Sequence, residues 1–240
     1  MPSRISYNKP YKSPKDLVQL LLTRGLIIND FNRAENYISH IGYYRLSAYM
    51  FPHLNLPKKN HIFKVNTTFQ SILNLYKFDK KLRLLIFNEI EKIEIAVRSS
   101  IVNNACEYFN DPYWITNSNY FIYPDKFAKT ISLIDKELEH SKEDFIIHFK
   151  TKYSNQYPPA WILAEILPLG VLTSIYYNIK EISIKKKIAN EFGLQVKPFE
   201  SWMSIVTLTR NACCHHSRIW NKQNTMLATE PKHITRSWIK

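Results

Sequence analysis

Leu82, Leu85, Ile86, Ile90, Ile93, Val97 and Ile101 recur three or four residues apart, the spacing that gathers apolar side chains on one face of a helix. Asn66 or Thr67 can cap this helix, which is expected to extend toward about Glu107 as the central element. An earlier helix is expected to begin at Ser13-Pro14-Lys15-Asp16, which supplies a cap, a proline suited to the first helical position and an acid in the first turn. Leu17, Leu20 and Leu21 give it an apolar face, and Gly25 should end it. A second helix is expected from about Asp30 through His40, with the aromatic segment Gly42-Tyr43-Tyr44-Arg45-Leu46-Ser47-Ala48-Tyr49 packed near it.

The Pro-, Asn- and Tyr-rich residues 111–125 should form a loop before helical patterns resume near Lys126 to His140 and again at Ser141-Lys142-Glu143-Asp144. Residues 161–177 form the most apolar window, but Pro168 inside it should kink or break its helix. A short basic helix over 180–192 follows, and Pro198 should open the last major helix. Only four glycines occur and Asn-Gly or Asp-Gly hairpin signals are missing, so the pattern predicts an all-α fold. With no internal repeat and no clear linker, one domain is expected over 1–240, comprising a helical extension to about residue 60, a bundle over about 66–221 and a short basic tail.

An apolar fraction of 45% suffices for a conventional core. The most apolar window is interrupted by Glu165 and Pro168 and is shorter than the roughly 20 apolar residues of a spanning helix, so no membrane association is expected. The first residues lack an apolar run followed by small residues, which points to the cytoplasm. Cys106, Cys213 and Cys214 are expected to stay reduced, because adjacent Cα atoms lie about 3.8 Å apart, too close for a usual disulfide. Cys213-Cys214-His215-His216 point in different directions on a helix and cannot close a tetrahedral site alone, so neither a metal nor a cofactor is expected. The net charge of +13 implies an acidic partner, with basic residues spread from Lys9 to Lys240.

Thr209-Arg210-Asn211-Ala212-Cys213-Cys214-His215-His216 sets a permanent cation beside a group that titrates near neutrality, the two requirements for cutting RNA without a metal. On a helical wheel Trp202, Ile205, Val206, Thr209, Ala212, Cys213 and His216 share an apolar stripe, whereas Asn211 and His215 share the opposite side. His216 should therefore point to the core if the helix continues, and His215 away from it. Arg210 and His215 fall about 140° apart, so one helix does not easily bring them together. Arg210 could instead pair with Glu94 or Glu165. Glu94 and Arg98, four apart with the acid first, form a second candidate pair, either positioning the motif or merely solvated.

Several of these segments together resemble the Abi-like abortive-infection family, the AbiD and AbiF group of bacterial phage-defence proteins. They are Lys9-Pro10-Tyr11-Lys12-Ser13, Arg24-Gly25-Leu26-Ile27-Ile28, Ile41-Gly42-Tyr43-Tyr44-Arg45-Leu46-Ser47-Ala48-Tyr49, Ile93-Glu94-Ile95-Ala96-Val97-Arg98 and Pro159-Ala160-Trp161-Ile162-Leu163-Ala164-Glu165. Arg210-Asn211-Ala212-Cys213-Cys214-His215-His216-Ser217-Arg218-Ile219-Trp220-Asn221 completes the set. The resemblance implies a HEPN-like helical bundle whose Arg-x4-6-His motif cuts RNA, carried here by Arg210, Asn211 and His215, with Glu94 and Arg98 in support. It also implies a homodimer, since one chain holds a single motif, and restraint by an RNA or protein antitoxin. The competing expectation is a non-catalytic RNA-binding or toxin-neutralising module on the same scaffold.

Overall fold

A computed structural model describes residues 6–223 and 226–232. Among them lie ten α-helices and no strand: α1 Pro14–Thr23, α2 Phe31–Ile41, α3 Tyr43–Met50, α4 Phe69–Phe109, α5 Pro124–His140, α6 Asp144–Lys152, α7 Ala160–Ile166, α8 Leu169–Asn178, α9 Ile182–Glu191 and α10 Val196–Cys214. The fold is all-α. None of these helices is long and apolar enough to cross a membrane. The chain divides into two compact units, Met1–Leu84 and Leu85–Lys240, so the division falls within α4. A continuous helix needs no change in composition at such a division, which is why no linker marks the place. Arg236 and Lys240 of the basic tail lie outside the described residues.

In the first unit α1 starts as its residues dictate. Ser13 Oγ accepts from the Asp16 backbone N–H at 3.2 Å while the Asp16 carboxylate takes the Ser13 hydroxyl at 2.6 Å, a reciprocal cap that also holds the Asp16 carboxyl below its usual range. Gly25 follows the helix at a φ of 85°, a left-handed conformation open to glycine without a Cβ clash. Val18 and Leu21 of α1 meet Ala34 and Ile38 of α2, Leu46 of α3 and Ile72 and Leu73 of α4 in one apolar cluster. The cap of α4 comes from Thr68, whose Oγ1 accepts from Ser71 N–H at 3.0 Å. Asn66, with a φ of 63°, and Thr67 both precede it, so the expected start was early by one or two residues.

The apolar stripe expected on α4 is also corrected. Ile90, Val97 and Ile101 are buried, yet Leu85 is 67% and Ile93 39% exposed. The inward face instead takes Asp79, Arg83, Glu94 and Arg98, because each of these charges finds a partner there. In the first unit Asp79 accepts from the Tyr49 hydroxyl at 2.6 Å and pairs with Arg83, with all three side chains buried. Burial first, and donation to Asp79 second, push the Tyr49 hydroxyl pKa up to about 12.

In the second unit α5, α8, α9 and α10 pack around Ile134, Leu172, Ile175 and Ile188. The loop before α5 contains two short 3-10 turns, the first of which buries Trp114 and Ile115. Lys185 of the basic helix α9 is buried, donating to the Tyr177 carbonyl and paired with Glu200 of α10 at 2.5 Å.

Candidate functional site

Pro168 breaks the apolar window into α7 and α8, as its missing N–H requires. A continuous helix would satisfy the Ala164 carbonyl with the N–H of residue 168, and proline has none to give. Val171 N–H, which would serve the Leu167 carbonyl, bonds Pro168 O instead, at 2.9 Å. The Ala164 carbonyl takes a shorter-range bond from the Leu167 N–H at 3.2 Å, and Arg98 adds a donor to both carbonyls. Its Nη1 donates to the Ala164 carbonyl and, at 3.1 Å, to the Leu167 carbonyl. A cation at the C-terminal end of a helix also meets the negative end of the helix dipole.

Arg98 is held in turn by Glu94 of the same helix, which accepts from its Nη2 at 3.2 Å. The other carboxylate oxygen, Oε2, lies 3.4 Å from Nε of Arg210 on α10. Glu94 thus bridges two arginines, and its side chain is only 15% exposed. The contact to Arg210 is charge pairing without hydrogen-bond geometry, since the buried Nε–H has no acceptor. Arg210 donates no hydrogen bond to any described residue, and its side chain remains 32% exposed. A fixed cation with open donors is suited to receiving a phosphate oxygen.

Helix α10 ends sooner than the wheel assumed. Cys214 is its last residue, His215 is the C-cap, and His216 turns to a left-handed φ of 54°. His216 is therefore exposed rather than inside the core, correcting the expectation that rested on a continuing helix. Cys213 is buried, but Met203 and Phe199 supply more of the inward face than Ile205 or Thr209. Asn211 and His215 are both exposed, and the Asn211 carbonyl accepts the His215 backbone N–H at 3.0 Å. Leu208, two turns before His215 on that outward side, is 51% exposed.

Glu94, Arg98 and Arg210 are thereby brought together, while Asn211 and His215 stand on the outward face of α10. Within one chain no side-chain hydrogen bond or ion pair among the described residues joins His215 to Arg210. The backbone carbonyls of Ala164 and Leu167 were missed as parts of the arrangement. Pro168 was the signal that could have found them, since a proline ends the helix before it and leaves the terminal carbonyls short of helical donors. No three His, Cys, Asp or Glu among the described residues gather as a metal site. No curated protein and no solved structure matches the chain. The profile of the Abi-like protein family matches residues 36–221, covering α3 to α10 and every residue of the motif, and the chain belongs to that family.

Proposed function

We propose that this Abi-like protein acts in abortive-infection phage defence as a metal-independent endoribonuclease of the HEPN type, a toxin restrained by an RNA or protein antitoxin and working in the cytoplasm. Family membership supports the defence role. The observation that carries the chemistry is the tether from the broken helix through Arg98 and Glu94 to Arg210, which fixes a partly exposed cation on the same helix that presents the exposed Asn211 and, at its C-cap, His215.

The RNA 2'-hydroxyl attacks the adjacent phosphorus, forming a new O–P bond as the bond to the 5'-oxygen breaks. His215 removes the 2'-hydroxyl proton or supplies a proton to the departing 5'-oxygen. Arg210 neutralises the charge that grows on the phosphoryl oxygens, and Asn211 orients the imidazole or binds an oxygen. Because Arg210 faces inward and His215 outward, a homodimer completes the site, with the arginine and histidine of each site drawn from different copies. The exposed Leu208, on the same side of α10 as His215, suits such a contact.

The test is incubation of the purified chain with mixed cellular RNA in excess chelator, followed by analysis of the fragment ends. Fragments bearing 2',3'-cyclic phosphates and 5'-hydroxyls are expected. Activity lost with the chelator, or fragments with 3'-hydroxyl ends, contradicts the mechanism. RNA bound but never cut identifies a non-catalytic binding module instead.

A further inference from the structure

Through Leu84 the chain has 14 Lys and Arg against 4 Asp and Glu, and from Leu85 onward it has 19 against 16. The first unit thus supplies +10 of the net +13, although the catalytic motif lies in the second. Within that unit an open groove of about 720 Å³ runs between the segment before α1 and the end of α3. Lys9, Lys12, Arg24 and His61 line it, and no acidic side chain does. Four of its aromatics face solvent: Tyr7 is 82%, Tyr11 87%, Tyr44 91% and Phe51 52% exposed.

We infer that this groove binds single-stranded RNA, with bases stacked on the exposed aromatic rings and phosphates on the lysines and Arg24. Unpaired bases present π faces that a duplex keeps stacked internally, so a row of exposed rings selects a single strand. Charge complementarity makes the strand's backbone the fitting ligand, since every ionisable group along the wall other than tyrosine is basic. The groove is also partly preorganised. Tyr43 Oη accepts from Arg24 Nη1 at 3.0 Å, steadying the guanidinium, and Lys58 stands 4.0 Å over the Phe51 ring, adding positive charge at its edge. Leu54 and Phe63, both 5% exposed, give it a buried apolar floor.

The inference rests on the proposed function only in taking RNA as the strand, and it requires no cleavage. The full chain carrying His215→Ala, which leaves bound RNA uncut, is titrated against a short fluorescent single-stranded RNA, its duplex form and single-stranded DNA. Adding Tyr11→Ala together with Tyr44→Ala should weaken single-strand affinity by about tenfold or more while leaving duplex binding nearly unchanged. Both side chains are more than 85% exposed, so the circular dichroism spectrum should stay the same. Lys12→Gln should reduce the slope of log affinity against log salt by about 0.7, the share of one phosphate contact on a single strand.

Weaker binding of the DNA strand identifies the 2'-hydroxyl as a contact, and equal binding assigns recognition to stacking and phosphates alone; either supports the groove. Unchanged single-strand affinity in the double tyrosine variant overturns it, as does an equal loss on duplex, or binding to phosphatidylserine vesicles without binding to RNA. In the chain with its motif intact, cleavage that proceeds while the groove substitutions leave binding untouched sinks the groove alone. A groove effect in a protein that never cuts sinks the nuclease alone.

Discussion

Helix α4 carries the same device twice, an acid followed four residues later by an arginine, with opposite outcomes in the two units. In the first, Asp79 and Arg83 are 0% and 7% exposed at the side chain and are closed off by the Tyr49 hydroxyl. In the second, Glu94 and Arg98 are 15% and 12% exposed, and Glu94 passes its second oxygen to an arginine that stays 32% exposed. Burial and pairing alone therefore do not mark a functional charge. The informative feature is an ion pair that ends in a cation with open donors. A closed pair fixes the packing of its own unit, whereas an open one delivers charge to a ligand.

Neutralising the acid of each pair should separate the two outcomes. Asp79→Asn removes the countercharge of the buried Arg83 and should cost about 3–5 kcal/mol in chemical denaturation. A loss under about 1 kcal/mol, the range of an exposed pair, would erase the distinction between the two pairs. Next in size, Arg210→Ala and His215→Ala should each lower RNA cleavage at least about 100-fold, or about 2.7 kcal/mol in the barrier. Neither should unfold the chain, because both side chains are at least partly exposed.

Glu94→Gln sharpens the comparison further. Arg98 keeps its carbonyl partners and Arg210 keeps access to water, so stability should fall by only about 1 kcal/mol. Cleavage should drop about tenfold as Arg210 loses the charge that positions it. Equal losses of stability and activity would make Glu94 a packing residue like Asp79. The smallest effect is expected at His216, which is exposed: His216→Ala should shift stability by less than about 0.5 kcal/mol and leave cleavage intact. Loss of cleavage in His216→Ala with retention in His215→Ala would reverse the assignment of the two histidines.

Much of the helical punctuation was legible in the sequence because it is local chemistry. Ser13 with Asp16 starts α1, Asp30 caps α2, and Pro168 splits the apolar window, each through backbone donors within a turn or so. The inward face of α4 was not legible, since hydrophobic spacing favours Leu85 and Ile93 over charges whose partners lie far along the chain. Arg210 and Glu94 are separated by 116 residues, and only folding shows that Glu94, rather than Glu165, pairs with Arg210. The orientation of His216 failed for another reason. A wheel assumes continuous geometry, and the left-handed turn after Cys214 redirects every later side chain. The basic and aromatic residues near the N-terminus could be read as composition, but their assembly into one groove required α1 and α3 to be packed.

Mixing Arg210→Ala subunits with His215→Ala subunits tests most directly whether the open cation and the outward histidine act together across two copies. Random exchange at equal amounts makes half the dimers mixed, each with one intact and one doubly deficient site, so about a quarter of the unsubstituted activity should return. Cleavage that stays absent in a mixture shown to exchange subunits would contradict the shared site, as would full activity of the unsubstituted protein in a strictly monomeric state.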